Sequence, residues 1–416
     1  MYTLTNTKNN TTKIYASTIE DGCMEQLQQL VENPAYCDSK VRIMPDCHAG
    51  LGSVIGFTAT FDDKIIPNTV GVDISCGMEV VNLGKVDIDL PHFDDMVKLK
   101  IPSGLMVRDG KACDFKVLED LHCYRELKDT KRIIRSIGTL GGGNHFIELD
   151  RNGVGETILV IHTGSRNLGK QVCEYYQNIA VDLAHGKEDY YREREALIAR
   201  YKREGRRSEI QMALKGLKYE RKETDLPDDQ CFLYGEWAER YLHDMRICQQ
   251  FAHLNRETIA EILVSKYFKG RHLDDCEHFE TLHNYIDLKH NIIRKGAVSA
   301  MAGECLIIPM NMRDGSLICI GKGNDDWNCS APHGAGRIMS RSKAFGQVSL
   351  EDFQKSMEGI YTTTANEQTI DEAPMAYKPM DEIVDLVSDT VEIVDVIKPI
   401  YNFKAADDVR FWRNQK

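Results

Sequence analysis

Five short stretches of this 416-residue chain set imidazole, thiol or carboxylate side chains among glycines or at the ends of apolar runs. His145 follows Gly141-Gly142-Gly143-Asn144, and His162 stands in Ile161-His162-Thr163-Gly164-Ser165-Arg166. His283 precedes Asn284-Tyr285, and His333 opens His333-Gly334-Ala335-Gly336-Arg337. The fifth stretch, Gly71-Val72-Asp73-Ile74-Ser75-Cys76-Gly77-Met78, places Asp73 and Cys76 three residues apart with glycine on both sides. Glycine lets backbone approach a ligand closely and supplies positive φ. A histidine beside such a turn sits on a rigid scaffold and faces an opening. Any one of these histidines reads most simply as a satisfied structural residue, but five such elements in one chain favour a shared site. Asp73, Cys76 and three histidines are enough ligands for one metal, or for two metals sharing the thiolate. Cysteine with histidine suits zinc, whereas a carboxylate and a hydrated open site also admit Mn(II) or Fe(II). Spacing does not say which histidine ligates and which does covalent work.

The glycine-rich turns have a second use. Gly141-Gly142-Gly143 and Gly334-Ala335-Gly336 could present backbone N–H groups to phosphate. Neither is a P-loop, because GxxxxGK[ST] is absent. Arg166, Arg337 and Arg341 bring guanidinium groups near the same motifs, and their forks match phosphate oxygens.

These residues need strands and turns to hold them. From Val41 to Val81 short apolar runs are broken by glycine, which reads as strands joined by tight turns. Thr157-Ile-Leu-Val-Ile-His-Thr163 is a continuous apolar run, suited to a strand buried on both faces. Glycine-rich strand texture returns from Lys295 to Arg337. The first forty residues read as a lead-in plus one helix around Met24–Val31. Residues 228–267 read as helices, Ser349 as the N-cap of a further helix, and Met380–Val396 as one or two helices. Residues 172–225 read as a peripheral helical insertion, dense in charge: Arg192, Arg194, Arg200, Lys202, Arg203, Arg206 and Arg207 fall within it. That run is either a solvated helical face or an arm that contacts nucleic acid.

A length of 416 residues would suit two or three domains at about 150 residues each. With no internal repeat and no clear linker, one composite α/β domain over 1–416, with 172–225 inserted, fits better. The 42% hydrophobic and 28% charged fractions exclude a disordered or collagen-like chain. A net charge of −12 argues against coating nucleic acid by bulk charge, though not against a local basic groove. No apolar run reaches the length of a membrane span, and Met1–Tyr15 has no apolar core of a secretory signal. Thirteen cysteines without a CxxC pair read as reduced thiols of a cytoplasmic protein.

With these residues assembled, the chain resembles the RtcB family of RNA ligases from Met44 to about Lys404. The resemblance rests on eight motifs in the family's order: Met44-Pro45-Asp46-Cys47-His48-Ala49-Gly50-Leu51-Gly52, the Gly71–Met78 turn, Gly143-Asn144-His145-Phe146, Ile161–Arg166, His283-Asn284-Tyr285, Arg294-Lys295-Gly296-Ala297, His333–Arg337 and Ala376-Tyr377-Lys378. It implies a composite α/β fold with mixed sheets around a dinuclear metal cleft. It also implies a GTP- and Mn(II)-dependent enzyme that joins RNA 3′-phosphate or 2′,3′-cyclic phosphate ends to 5′-hydroxyl ends, in RNA repair or tRNA splicing. By motif position, Asp73, Cys76 and His145 would hold one Mn(II). Cys76, His162 and His283 would hold the second, and His333 would carry GMP. Asn144, His145, Phe146, Glu148, His283 and Asn284 would line the nucleotide pocket. Pro309, Met312, Ser316, His333, Gly334, Ala335, Gly336 and Lys404 would line it too, and Glu148 would accept from the guanine edge. A monomer is the default expectation, and the need for an archease-type activator stays open.

The chain departs from the family where a Pro-Gly-Ser-x-Gly turn is usual and Pro309-Met310-Asn311-Met312-Arg313-Asp314-Gly315-Ser316 stands instead. Ile293 replaces a usual histidine, and the usual Lys-Gly ending becomes Lys404-Ala405 with further residues. These changes mark a divergent branch. They keep alive a second reading, a metal-dependent cyclic phosphodiesterase that has lost ligation. A third reading, RNA binding without catalysis, fits least with the intact His333-Gly334-Ala335-Gly336-Arg337 stretch.

Overall fold

The protein, described over residues 1–405 in a computed structural model, arranges its strands in two large sheets and one small one. In chain order they are β1 (Tyr2–Thr5), β2 (Thr11–Ile14), β3 (Val41–His48), β4 (Ile55–Thr60), β5 (Gly77–Gly84), β6 (Phe146–Arg151) and β7 (Thr157–Thr163). There follow β8 (Glu277–Leu282), β9 (Asn284–Asp287), β10 (Ile292–Lys295), β11 (Ala297–Ser299), β12 (Cys305–Asn311), β13 (Gly315–Gly321), β14 (Ser330–Pro332) and β15 (Val391–Lys404). One sheet runs β1-β2-β3-β4-β10-β9, the largest runs β12-β13-β15-β6-β7-β5-β8, and β11 pairs with β14. Among these pairings only β2 with β3 is parallel.

Period-two alternation makes the largest sheet two-faced. Ile147, Leu149, Leu159, Ile161, Tyr401 and Phe403 point to one side. They pack on helices Leu90–Lys100 and Gly235–Tyr267 through Phe93, Val97, Ile259 and Leu263. The intervening residues point to the other side, where Met78, Val80, Phe146, Ile158 and Val160 form a smaller core with Ile307 and Ile397. Near the strand ends this second face turns polar and carries Glu148, His162, Asn402 and Lys404. Covered on both faces, β7 is buried along its whole length, as its continuous apolar run requires.

Helix Gly235–Tyr267 spans 33 residues, about 50 Å at 1.5 Å per residue. Its buried positions recur every three or four residues: Tyr241, Met245, Cys248, Ala252, Arg256, Ile259 and Leu263. Helix Arg166–Ala184 leaves β7 through a short turn and buries Leu168, Val172, Tyr176 and Leu183 in the core beneath the six-stranded sheet. The helices that follow, Glu188–Arg203 and Ile210–Leu214, bury no residue. Ser349 caps helix Leu350–Ser356 by accepting from the Asp352 N–H. No helix among the described residues is long and apolar enough to cross a membrane. All thirteen cysteines are free thiols.

One expectation gains detail and another is corrected. The lead-in before helix Asp21–Glu32 is an antiparallel hairpin, with Tyr2 paired to Ile14 and Thr5 to Thr11. The helix expected over Met380–Val396 stops at Val387, and Val391–Lys404 is a strand in the middle of the largest sheet. Its β-branched residues satisfy either period over so short a run. Ladders to β13 on one side and β6 on the other decide the outcome.

A buried donor cluster and the adjoining cleft

Four neighbouring strands of the largest sheet, β6-β7-β5-β8, deliver their chemistry at one end. Cys76 stands just before β5, His145 just before β6, His162 one residue from the end of β7, and His283 directly after β8. Register enforces the meeting, because His162 lies opposite both Met78 and Phe146, and Gly77 lies opposite Leu282. The His283 N–H donates to the Cys76 carbonyl at 3.0 Å. Asp73 enters from the preceding turn, which closes with Cys76 N–H on Asp73 O at 3.1 Å and passes through Ser75 at φ +60°.

The side chains converge. Cys76 Sγ is 3.5 Å from His145 Nε2 and 3.3 Å from His162 Nε2. His162 Nε2 is 3.4 Å from His283 Nε2, and His145 Nε2 is 3.0 Å from Asp73 Oδ2. The ligand atoms of Cys76, His162 and His283 lie within 4.8 Å of one another, and so do those of Asp73, Cys76 and His145. Cys76 belongs to both sets.

The donor chemistry fits divalent transition ions. His145 Nδ1 donates to Leu140 O at 2.8 Å and His162 Nδ1 to Asn144 O at 3.2 Å. Those bonds leave both Nε2 lone pairs facing the thiol, the arrangement that metal-bound imidazoles use. Burial, reinforced by neighbouring imidazoles, holds His162 and His283 far below the usual imidazole range, so both rings are neutral. Burial, and then Asp73, pushes the Cys76 thiol up. For Asp73 burial acts upward, but His145 and then Arg166 outweigh it and hold the carboxyl below its usual range. A soft sulfur, three nitrogens and a carboxylate suit zinc-class ions and Mn(II) alike.

Two residues of the 33-residue helix brace the cluster from behind. The fully buried Arg256 donates to Ser75 O and Thr163 O, both at 2.8 Å, and pairs with Glu280. It therefore ties the turn before Cys76 to the end of the His162 strand. Asn255 accepts from Gly138 and Thr139 N–H and donates to Gly164 O.

His333 stands across from the cluster, its ring centroid 4.9 Å from that of His283. Its Nδ1 meets Asp46 Oδ2 at 2.6 Å, and Asp46 is fully buried in β3. The Nδ1–H is thereby occupied and Nε2 is left as the free nitrogen. A Cβ at Gly336, where φ is +74°, would sit 2.8 Å from the Asp46 Cα, so only glycine lets this turn pass over Asp46.

One cleft opens beside His333. Asn144, Phe146 and Glu148 line it from the β6 side. Pro309 and Met312 line it from the β12 end, Gly334, Ala335 and Gly336 from the His333 turn, and Lys404 from β15. Asn284 and Ser316 do not reach it: Asn284 bridges Asp73 O and Gly296 N–H, and Ser316 is buried opposite Pro309. His145 and His283 belong to the donor cluster instead of the cleft wall.

Sequence reasoning assigned no role to Asp46, Glu372 or Asn402. Asp46 lies inside the Met44–Gly52 stretch, which was itself the available signal. Asn402 Nδ2 donates to Glu148 Oε2 at 2.5 Å, and burial pushes the Glu148 carboxyl up. Glu372 is buried and gathers Lys404 at 2.8 Å, Tyr377 Oη at 2.7 Å and Arg341 at 3.3 Å. Burial acts upward on it, but Lys404 and Arg341 outweigh this and hold it at about 2. At the departing turn, Asn311 Oδ1 accepts the N–H groups of Arg313 and Asp314, both at 3.0 Å.

The comparisons with known proteins agree with the motifs. The family described as "tRNA-splicing ligase RtcB" matches residues 26–405. "RNA-splicing ligase RtcB" of Escherichia coli K12 is 30% identical over 436 aligned positions, covering 96% of this chain and 98% of that protein. "tRNA-splicing ligase RtcB" of Methanococcus maripaludis is 27% identical, covering 83% and 84%. That of Aeropyrum pernix is 28% identical, covering 82% of each. With the donor cluster, the cleft and these relatives in agreement, the chain belongs to the RtcB family of tRNA-splicing ligases.

Proposed function

We propose that this chain is a GTP- and Mn(II)-dependent ligase that joins RNA 3′-phosphate or 2′,3′-cyclic phosphate ends to 5′-hydroxyl ends through GMP carried on His333. The observation that supports this reading most is His333 itself: Nδ1 held by buried Asp46, Nε2 free, next to a cleft edged by cationic side chains. With Asp73, Cys76 and His145 around one ion and Cys76, His162 and His283 around the other, the metals would neutralise charge on the α-phosphate and orient the pyrophosphate.

The chain's own residues do the rest. Nε2 of His333 attacks the α-phosphorus of GTP, forming an N–P bond as pyrophosphate leaves. Asp46 steadies the positive charge that develops on the ring. Glu148 accepts from the guanine edge, held in place by Asn402. Lys404, Arg337 and Arg341, tethered by Glu372, surround the phosphates with positive charge. The RNA 3′-phosphate takes GMP from His333, and the 5′-hydroxyl then displaces GMP to form the phosphodiester. A cyclic phosphate end is first opened by water. Within one catalytic unit, the inserted part of segment 172–225 is carried by helices Glu188–Arg203 and Ile210–Leu214, while residues 172–184 belong to a core helix.

The test is covalent labelling. The protein is incubated with GTP radioactive at the α-phosphate and Mn(II), without RNA, and run on a denaturing gel. A band released by acid but not by alkali, and lost in His333→Ala, is expected. One observation favours the second reading, a metal-dependent cyclic phosphodiesterase. The N–H groups of Arg313 and Asp314 are spent on Asn311 and are not free for phosphate. No band at full metal occupancy, with cyclic phosphate opened without GTP, would select that reading.

A further inference from the structure

Outside the cleft, a second histidine pair meets a buried carboxylate. His122 lies between the short helices Lys116–Asp120 and Tyr124–Glu126, while His243 and Asp244 lie on helix Gly235–Tyr267. Both histidines are exposed and Asp244 is fully buried. The two imidazole centroids are 4.7 Å apart, closer than the 5.3 Å and 5.1 Å that separate neighbouring rings of the Cys76 cluster. One carboxylate organises both residues. Asp244 Oδ1 accepts the His122 backbone N–H at 2.9 Å and faces His243 Nδ1 at 3.0 Å. Its Oδ2 accepts from Cys123 N–H at 3.0 Å and from Tyr176 Oη at 2.8 Å, so the group cannot turn away. One ligand atom from each of His122, His243 and Asp244 lies within 4.8 Å of the other two.

The geometry points to a surface site for a zinc-class divalent ion, held by His122, His243 and Asp244. Zinc binds imidazole nitrogen and carboxylate oxygen at about 2.0–2.2 Å, which puts tetrahedral ligands roughly 3.3 Å apart. His243 Nδ1 and Asp244 Oδ1 already stand near that spacing. The exposed His122 ring closes the remaining gap by rotating on a backbone that Asp244 itself anchors. The ion takes the place of the proton shared by His243 and Asp244, which leaves to solvent, and water completes the coordination. Two nitrogens and one oxygen favour zinc, nickel or copper over Mn(II). The site shares no residue with the cleft and does not depend on the ligase reading.

Metal-stripped full-length protein is titrated with Zn(II) against a chromophoric chelator, beside the double variant His122→Ala/His243→Ala. The expected result is one zinc fewer per chain in the variant, with the metal-free melting midpoint unchanged. Equal zinc stoichiometry in the two proteins overturns the proposal. His243→Gln, which keeps a polar side chain at the surface, checks that the loss is not one of folding. It should lower the affinity of the extra zinc at least tenfold, and an unchanged affinity likewise overturns the site.

Discussion

The Cys76 cluster and the cleft at His333 share a border but are assembled by different means. The cluster is a product of strand ends. Its donors stand at the mouths of β6, β7, β5 and β8, and Arg256 and Asn255 lock the turns that carry them. The cleft is a product of charge. Glu372, Lys404, Arg341 and Tyr377 come from separate segments and hold one another by ion pairs and hydrogen bonds. The lesson is that converging donor atoms need backbone register, whereas a cationic cleft needs its cations positioned by counter-charges. The two halves should therefore fail separately when broken.

The largest effect belongs to the residue common to both donor sets. Cys76→Ala should empty both metal positions, and ligation should fall at least ~10³-fold, as expected when metal-supplied charge stabilisation is removed. Metal analysis that still found one ion at full occupancy would refute the bridging thiolate. Next comes His333→Ala, which should abolish GMP labelling while metal content stays at the wild-type level. Loss of metal in that variant would mean the halves are not independent.

Arg256→Ala probes the brace without touching a donor. Removing one partner of a buried ion pair costs about 3–5 kcal/mol, and metal affinity should fall roughly 10- to 100-fold through lost orientation. Denaturant unfolding and Mn(II) titration read the two effects, with the Michaelis constant for GTP changing less. Glu372→Gln tests the charge-built half. The Glu372 carboxyl is held at about 2 in the folded protein, below its ordinary value of 4.5. Its contribution is therefore complete above pH 4.5 and is lost as pH falls towards 2. Wild type should exceed the variant by roughly 3 kcal/mol at pH 7, and the gap should shrink by pH 3. A gap independent of pH would sink the assignment. The smallest effect lies farthest away. Charge reversal at Arg200, Arg203 and Arg207, all exposed, should weaken RNA binding roughly three- to tenfold at low salt and leave GMP labelling intact. Unchanged RNA affinity would return this helix to a solvated face.

Much of the cluster was legible because its residues sit in short local patterns. Asp73, Cys76, His145, His162 and His283 each adjoin a turn or a strand end, and such contexts are visible in sequence. The braces were not. Arg256 occupies an ordinary helical position, and nothing around it signals that its guanidinium reaches two carbonyls over ninety residues away. Glu372 was equally silent, since its partners at 341, 377 and 404 meet it only after folding. Ser316 and Asn284 show what motif position leaves out. The resemblance places both beside the nucleotide, and the fold shows in addition that one is buried in a ladder and the other bridges two turns.

The sequence by itself determined which residues offer donor chemistry, that the scaffold is a mixed α/β one, and which family the motifs resemble, because glycine-flanked donors and period-two runs are local properties. Tertiary structure alone decided that Val391–Lys404 is a strand and not a helix, because ladders on both sides outweigh a short ambiguous period. It decided that Asp46 holds His333, because 287 residues separate them and only sheet packing brings them to 2.6 Å. Spacing names the donors, and the register of adjoining strands makes them a site.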